Sequence, residues 1–218
     1  MPVSLSRSLF SRYAVSWVFL AGVCVAEIVY VLLPAPDRAA LLGWASTSVH
    51  NLEHDPVGCL VVSAFIPTEF LLAWPVLVVL AMFGANHVLG NWRTAVTCAA
   101  AHVIGTSVSE GIVAYRVAAG RLPVADRFLI DVGPSYVVVG AIAVALLYGT
   151  WLARLAAALD FALLIFVGQI FSGLSHLQVS AVGHLTALTV GAVLGTYLVR
   201  QRQQKARSLL RHDSASSG

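Results

Sequence analysis

Apolar residues gather along this chain into six stretches, at 13–33, 68–89, 94–117, 130–150, 152–172 and 179–199, each close to the roughly 20 residues a helix needs to cross a bilayer. The first follows Arg7 and Arg12, exceeds the apolar part of a signal peptide and carries Glu27, which predicts a retained helix and not a leader. Residues 34–67 form a long first connection, whereas Gly90 to Arg93 and the region around Trp151 are tight turns. Inside the long connection an apolar run at 57–66 stops at Pro67. It is too short to span, so it is predicted to dip into the membrane interface. The expected molecule is all-α: a six-transmembrane-helix bundle over 13–199, a cytoplasmic N-terminus over 1–12, and a polar tail over 200–218, ending Ser-Ala-Ser-Ser-Gly, that is expected to be disordered.

Composition sharpens this picture. Of 218 residues, 59% are hydrophobic and 11% charged, against about a quarter charged in soluble domains, which excludes a single water-soluble core. The net charge is +3, and five of the thirteen cations fall within 200–211, beside a span. That placement predicts contact with the lipid headgroups of the cytoplasmic leaflet and excludes nucleic acid as a partner. With the N-terminus inside, nine cations lie on the cytoplasmic side (Arg7, Arg12, Arg93, Arg154 and the five of the tail) against Arg38, Arg116, Arg121 and Arg127 outside, as the positive-inside rule prefers. The long first loop then faces outward. Twelve arginines against one lysine, with much Ala and Val, point to a GC-rich bacterial genome and hence a bacterial inner membrane. Cys24, Cys59 and Cys98 share no CxxC or Cys/His spacing, so they read as small packing residues, with no disulfide framework or zinc site.

Ionisable groups inside spans are costly and invite explanation. Glu27, Glu69 and Glu110 fall in the outer third, which reads as interfacial carboxylates or an outward-opening bundle. The fourth and sixth stretches both run inward, and each carries a reactive side chain about 7 Å below its outer end: Ser135 and His184. A serine hydroxyl becomes a useful nucleophile when an imidazole takes its proton, so the pair forms a candidate dyad. Close approach of the two helices is favoured by the ridge Gly183, Ala187, Gly191 and Gly195, whose last three members lie within about 60° of the His184 direction. Ala141, Ala145 and Gly149 offer a second stripe on the fourth helix, offset from Ser135 by as much as about 120° at Ala141 and about 40° at Gly149, so it supports the pairing only in part. Asp131 can cap that helix and Pro134 suits its first turn, leaving the Ser135 amide free to donate to an oxyanion. Asp160 lies on the order of 10 Å deeper than Ser135, so a dyad fits better than a triad. His102 and His176 receive no role. His50 and His54, at i and i+4, lack a third ligand for a metal.

These residues resemble the rhomboid intramembrane serine proteases, whose six-helix core carries a GxSG nucleophile motif on helix four and a base histidine on helix six. Gly133-Pro134-Ser135-Tyr136 stands at the first motif; Gly183-His184 followed by Gly191 fits the second, with Ala187 replacing its first glycine. The outer loop and Leu89-Gly90 are also similar, so the resemblance covers roughly 13–199. Two departures stand out. Tyr136 replaces the last glycine of GxSG, and the helix-two His and Asn that face the oxyanion in active rhomboids are matched by Phe70 and Trp74, or by Leu72 and Val76. The resemblance implies a serine endopeptidase that uses Ser135 and His184 without a cofactor and cleaves membrane-anchored proteins near the outer face. Gly133, Tyr136, His54 and Asn51 are candidate oxyanion or supporting residues, with His50 beside them. The rival reading is a catalytically inactive rhomboid-fold protein that binds transmembrane segments as clients. A transporter built on Glu27, Glu110, His102 and Asp160 ranks last, because the two halves show no inverted repeat.

Overall fold

The computed structural model describes residues 9–68 and 72–216, with side chains as far as residue 205 and at Ser208. Glu69 and Phe70, singled out above, and Arg7 lie outside the described residues. The elements are α1 (Ala14–Leu32), α2 (Ala35–Ala45), α3 (Val49–His54), α4 (Pro56–Ser63), α5 (Ala73–Leu89), α6 (Asn91–Ala118), α7 (Ser135–Tyr148), α8 (Trp151–Phe166) and α9 (Val179–Ser216), with 3₁₀ turns at Val124–Phe128 and Leu174–His176. No strand occurs among the described residues.

Local chemistry sets most of these boundaries. Leu33 is extended, as a residue before proline must be, and ends α1. Ser48 caps α3 by accepting from the Asn51 N–H, and Asp55 caps α4 by accepting from Gly58 N–H at 2.9 Å, with Pro56 in the first turn. Gly90, at φ +78°, supplies the left-handed residue that closes α5 and lets α6 begin one position later. Thr150 caps α8.

Three helices are long and apolar enough to cross a bilayer by themselves: Ala14–Leu32, Asn91–Ala118 and the Val179–Lys205 part of α9. The other three apolar stretches are helical over fewer residues than the hydropathy pattern predicts. α5 begins at Ala73, where 68 was expected, because Leu72 takes a left-handed conformation (φ 71°). α7 begins at Ser135, because residues 129–134 are engaged by another part of the chain, as described below. α8 stops at Phe166, before Gly168. At the other end, α9 runs through the basic tail to Ser216, beyond the expected boundary at 199; Gln, Lys, Ala, Arg and Leu are all good helix formers and no breaker intervenes.

α7 is the centre of the bundle. Its sequence is apolar on every side, and every residue from Tyr136 to Ala145 is buried. α5 and α8 cover one side of it, α6 and α9 the other, and α1 lies outside α5. The outer helices turn Val18, Val25 and Ile28 of α1 and Leu152, Leu155 and Leu159 of α8 outward. Such an apolar exterior is stable only in contact with lipid or another apolar partner.

Glu27 has a structural task. It is buried in α1, and its Oε1 accepts the Leu72 N–H at 2.5 Å, which holds the left-handed entry into α5. Glu27→Leu leaves that amide without its acceptor and is expected to cost about 1–3 kcal/mol, seen as a lower thermal midpoint in detergent. Glu27→Gln retains an acceptor and should cost less.

Candidate active site

The segment that leads into α7 is held by the long first connection. Ser46 Oγ donates to Leu129 O at 3.1 Å and accepts from Asp131 N–H at 2.9 Å, while Thr47 donates to Asp131 O from both its amide (2.9 Å) and its hydroxyl (3.0 Å). Gly133, at φ +146°, turns its N–H to Ser63 O at 2.9 Å. Ser46, Thr47 and Ser63 are themselves buried, so these bonds are shielded from water. Their effect is to set where Ser135 stands.

Ser135 is the first residue of α7. The earliest backbone bond that closes onto this end runs from Val138 N–H to Pro134 O, so the amides of Ser135, Tyr136 and Val137 precede the helical ladder. The expected cap by Asp131 is not made: the cap position is Pro134, and the Asp131 carboxylate turns instead to the Tyr136 hydroxyl, 3.0 Å from its Oδ2.

The small-residue ridge of α9 does bring this helix against α7. A side chain on Gly183 would strike the Tyr136 ring, one on Gly191 would meet the backbone of Gly140, and one on Gly195 would meet Val144. Ala187 sits between Gly140 of α7 and Gly105 of α6. The stripe that α7 presents is therefore Tyr136, Gly140 and Val144, whereas the expected stripe points elsewhere: Ala145 packs toward Gly84 of α5, and Gly149 toward Ala153. Tyr136 thus fills the contact that a glycine would have left open.

Ser135 and His184 line one cavity of about 340 Å³, together with Gly133, Ser180, Trp74 and Leu77 and, from the end of α8, Leu164 and Gly168. Among the described residues no hydrogen bond joins Ser135 to His184. The imidazole is buried, with Nδ1 3.2 Å from Ser180 Oγ and the Tyr136 ring packed perpendicular to it (centroids 4.8 Å apart, planes at 83°). Its Nε2 has no hydrogen-bond partner among the described residues. Trp74 lies in the wall where helix-two donors were sought, while Leu72 and Val76 are largely exposed.

Asn51 and His54 stand elsewhere. The Asn51 amide donates to the carbonyls of Gly43 (2.7 Å), Trp44 (3.2 Å) and Ser46 (2.8 Å), closing the end of α2, and His54 Nδ1 lies 2.7 Å from His50 O. His50 stacks between His54 and Phe128. None of the three lines the cavity; Asn51 and His54 turn their polar atoms to the first connection itself. Among the described residues no three His, Cys, Asp or Glu side chains gather to hold a metal.

His102, given no role above, and Ser180 make defined polar contacts near this site. His102 Nε2 lies 2.9 Å from Leu60 O and 3.2 Å from Ser63 Oγ. The proton on Nε2 goes to the carbonyl, so this nitrogen cannot take one from Ser63, and the pair pins α4 to α6 without forming a second dyad. Ser180 was discoverable, since i and i+4 on a helix share a face. Asp160 is fully buried on α8, is not among the cavity residues, and has both carboxyl oxygens without a hydrogen-bond partner among the described residues.

A family model for rhomboid-like proteins matches residues 10–205, and the chain belongs to that family. It is an integral membrane protein of rhomboid-like, helical character. No curated protein and no solved structure matches the chain.

Proposed function

We propose that this rhomboid-like protein is an intramembrane serine endopeptidase in which Ser135 is the nucleophile and His184 the base. The observation that carries the reading is that both line one cavity, with the His184 Nε2 buried and unpartnered among the described residues and the first amides of α7 beside the serine. Ser135 Oγ attacks a substrate carbonyl while its proton passes to Nε2. The C–N bond then breaks, the imidazolium returns that proton to the leaving amine, and water releases the acyl group by the same route.

Oxyanion stabilisation falls to the main chain. The Gly133 N–H is already bonded to Ser63 O and the Tyr136 hydroxyl to Asp131, so the Ser135 amide, at the positive end of α7, is the natural donor. The absence of His and Asn at Phe70 and Trp74 makes this a slow enzyme, since one oxyanion donor is commonly worth about a hundred- to a thousandfold.

All six apolar stretches cross the membrane in this reading, with both termini cytoplasmic as the arginine distribution favours. α7, at 14 residues, rises only about 21 Å, less than the roughly 30 Å hydrocarbon core, so its N-terminus and Ser135 stand below the outer surface at the end of a wet recess. Substrates are membrane-anchored proteins that approach through lipid. They reach the cavity between α5 and α8, whose residues form its apolar walls, and carry helix-destabilising residues that expose the scissile carbonyl. The bacterial inner membrane is the proposed location.

The test is labelling of detergent-purified protein by a fluorophosphonate. Labelling that disappears in Ser135→Ala and in His184→Ala supports the enzyme. A folded wild type that takes no label, yet retains co-expressed transmembrane segments, replaces it with a client-binding protein.

A further inference from the structure

Ser180 lies four residues before His184, one turn away on the same face of α9, and its Oγ is 3.2 Å from His184 Nδ1. A neutral imidazole carries one proton, and only the nitrogen without it can act as a base. Which nitrogen holds the proton is decided by what the other ring nitrogen meets, and here the Ser180 hydroxyl stands at Nδ1 while Nε2 meets no hydrogen-bond partner among the described residues. A proton on Nδ1 is used, by donation to Ser180 Oγ, and Nε2 is then left with its lone pair toward the cavity that Ser135 also lines.

We propose that Ser180 is the positioning residue of the site: it holds the Nδ1–H tautomer of His184 and so keeps the Nε2 lone pair available to Ser135. This inference rests on the reading of Ser135 and His184 as nucleophile and base. Three features make the arrangement specific. Tyr136 packs its ring perpendicular to the imidazole and restricts its rotation, and Gly183 makes room for that ring. Ser180 also lines the 340 Å³ cavity beside His184 and Ser135, and it lies on a short α-helical path that fixes its distance to Nδ1. Finally, Asp131, the nearest carboxylate in that wall, is turned to the Tyr136 hydroxyl, so the hydroxyl of Ser180 takes the part a carboxylate plays in a triad.

Two measurements on the full-length protein in detergent test this. The first is the second-order rate of Ser135 labelling by a fluorophosphonate in wild type, Ser180→Ala and Ser180→Thr. Ser180→Ala is expected to slow labelling about tenfold, the weight of one ordinary hydrogen bond, and Ser180→Thr, which restores a hydroxyl, to recover most of that rate. The second is the pair of imidazole 15N shifts of His184, assigned by difference against His184→Gln. Wild type should show a protonated Nδ1 and a bare Nε2, and Ser180→Ala should move the ring toward the opposite tautomer.

A wild-type ring protonated on Nε2 overturns the proposal, as does a Ser180→Ala ring with unchanged shifts. Slower labelling with an unchanged tautomer also overturns it, and would place Ser180 against substrate instead. If no form of the protein labels at Ser135, the protease reading fails, and the nitrogen shifts still decide whether Ser180 sets the tautomer.

Discussion

Gly191→Val is expected to abolish fluorophosphonate labelling of Ser135 and to destabilise the protein by about 3 kcal/mol, at the upper end of the cost of overpacking a tight core. A Cβ at this position would meet the carbonyl oxygen of Gly140 and come within 2.8 Å of its Cα. Both partners are backbone on rigid helices, so no side chain can swing aside. The strain is relieved only by parting α9 from α7, which carries His184 away from Ser135. Gly111→Ala is the control, because nothing lies within 4 Å of a Cβ there; alanine in an exposed helical position should be neutral or favourable by up to about 1 kcal/mol. Labelling rates and thermal midpoints in detergent read both variants, and a Gly191→Val protein with normal labelling would show that the α7–α9 contact does not assemble the site.

Ser46→Val is expected to act from the far side of the same serine. It removes the acceptor of the Asp131 N–H and the donor to Leu129 O at a position that is only 1% exposed, leaving two shielded backbone groups unsatisfied. The stability cost should be about 2–4 kcal/mol. Labelling of Ser135 should fall about a hundredfold, since loosening of residues 129–134 displaces the nucleophile by on the order of 1 Å. Ser48→Ala, two residues along, removes only the cap of α3 and should cost about 1 kcal/mol while leaving labelling intact. Equal labelling in Ser46→Val and Ser48→Ala would show that the first connection does not place Ser135.

The contacts of Tyr136 show how this chain departs from a plain GxSG site. In this chain the residue after the nucleophile is Tyr136, and it is accommodated by Gly183 on one side and by Gly105 of α6 on the other. The ring braces His184, and its hydroxyl reaches Asp131, itself held through its backbone by Ser46 and Thr47. One bulky side chain thereby links the first connection, the nucleophile helix and the base helix.

Sequence by itself determined the membrane class, the approximate position of each apolar stretch, and the placement of Ser135 and His184 near the N-terminal ends of two helices. It also disclosed the glycine ridge of α9, because apolar length and four-residue spacing are local properties that every helix carries with it. Only the tertiary structure decided what that ridge meets: Tyr136, Gly140 and Val144, where the small residues Ala141, Ala145 and Gly149 had been expected. It likewise decided that Asn51 caps α2, that Asp131 serves Tyr136 in place of the α7 cap, and that Ser46 and Asp131, 85 positions apart, share a hydrogen bond. The physical reason is rotation. A shift of one residue turns a helix face by about 100°, which hydropathy over twenty residues cannot register, so which polar atoms meet is set by how the helices settle against one another.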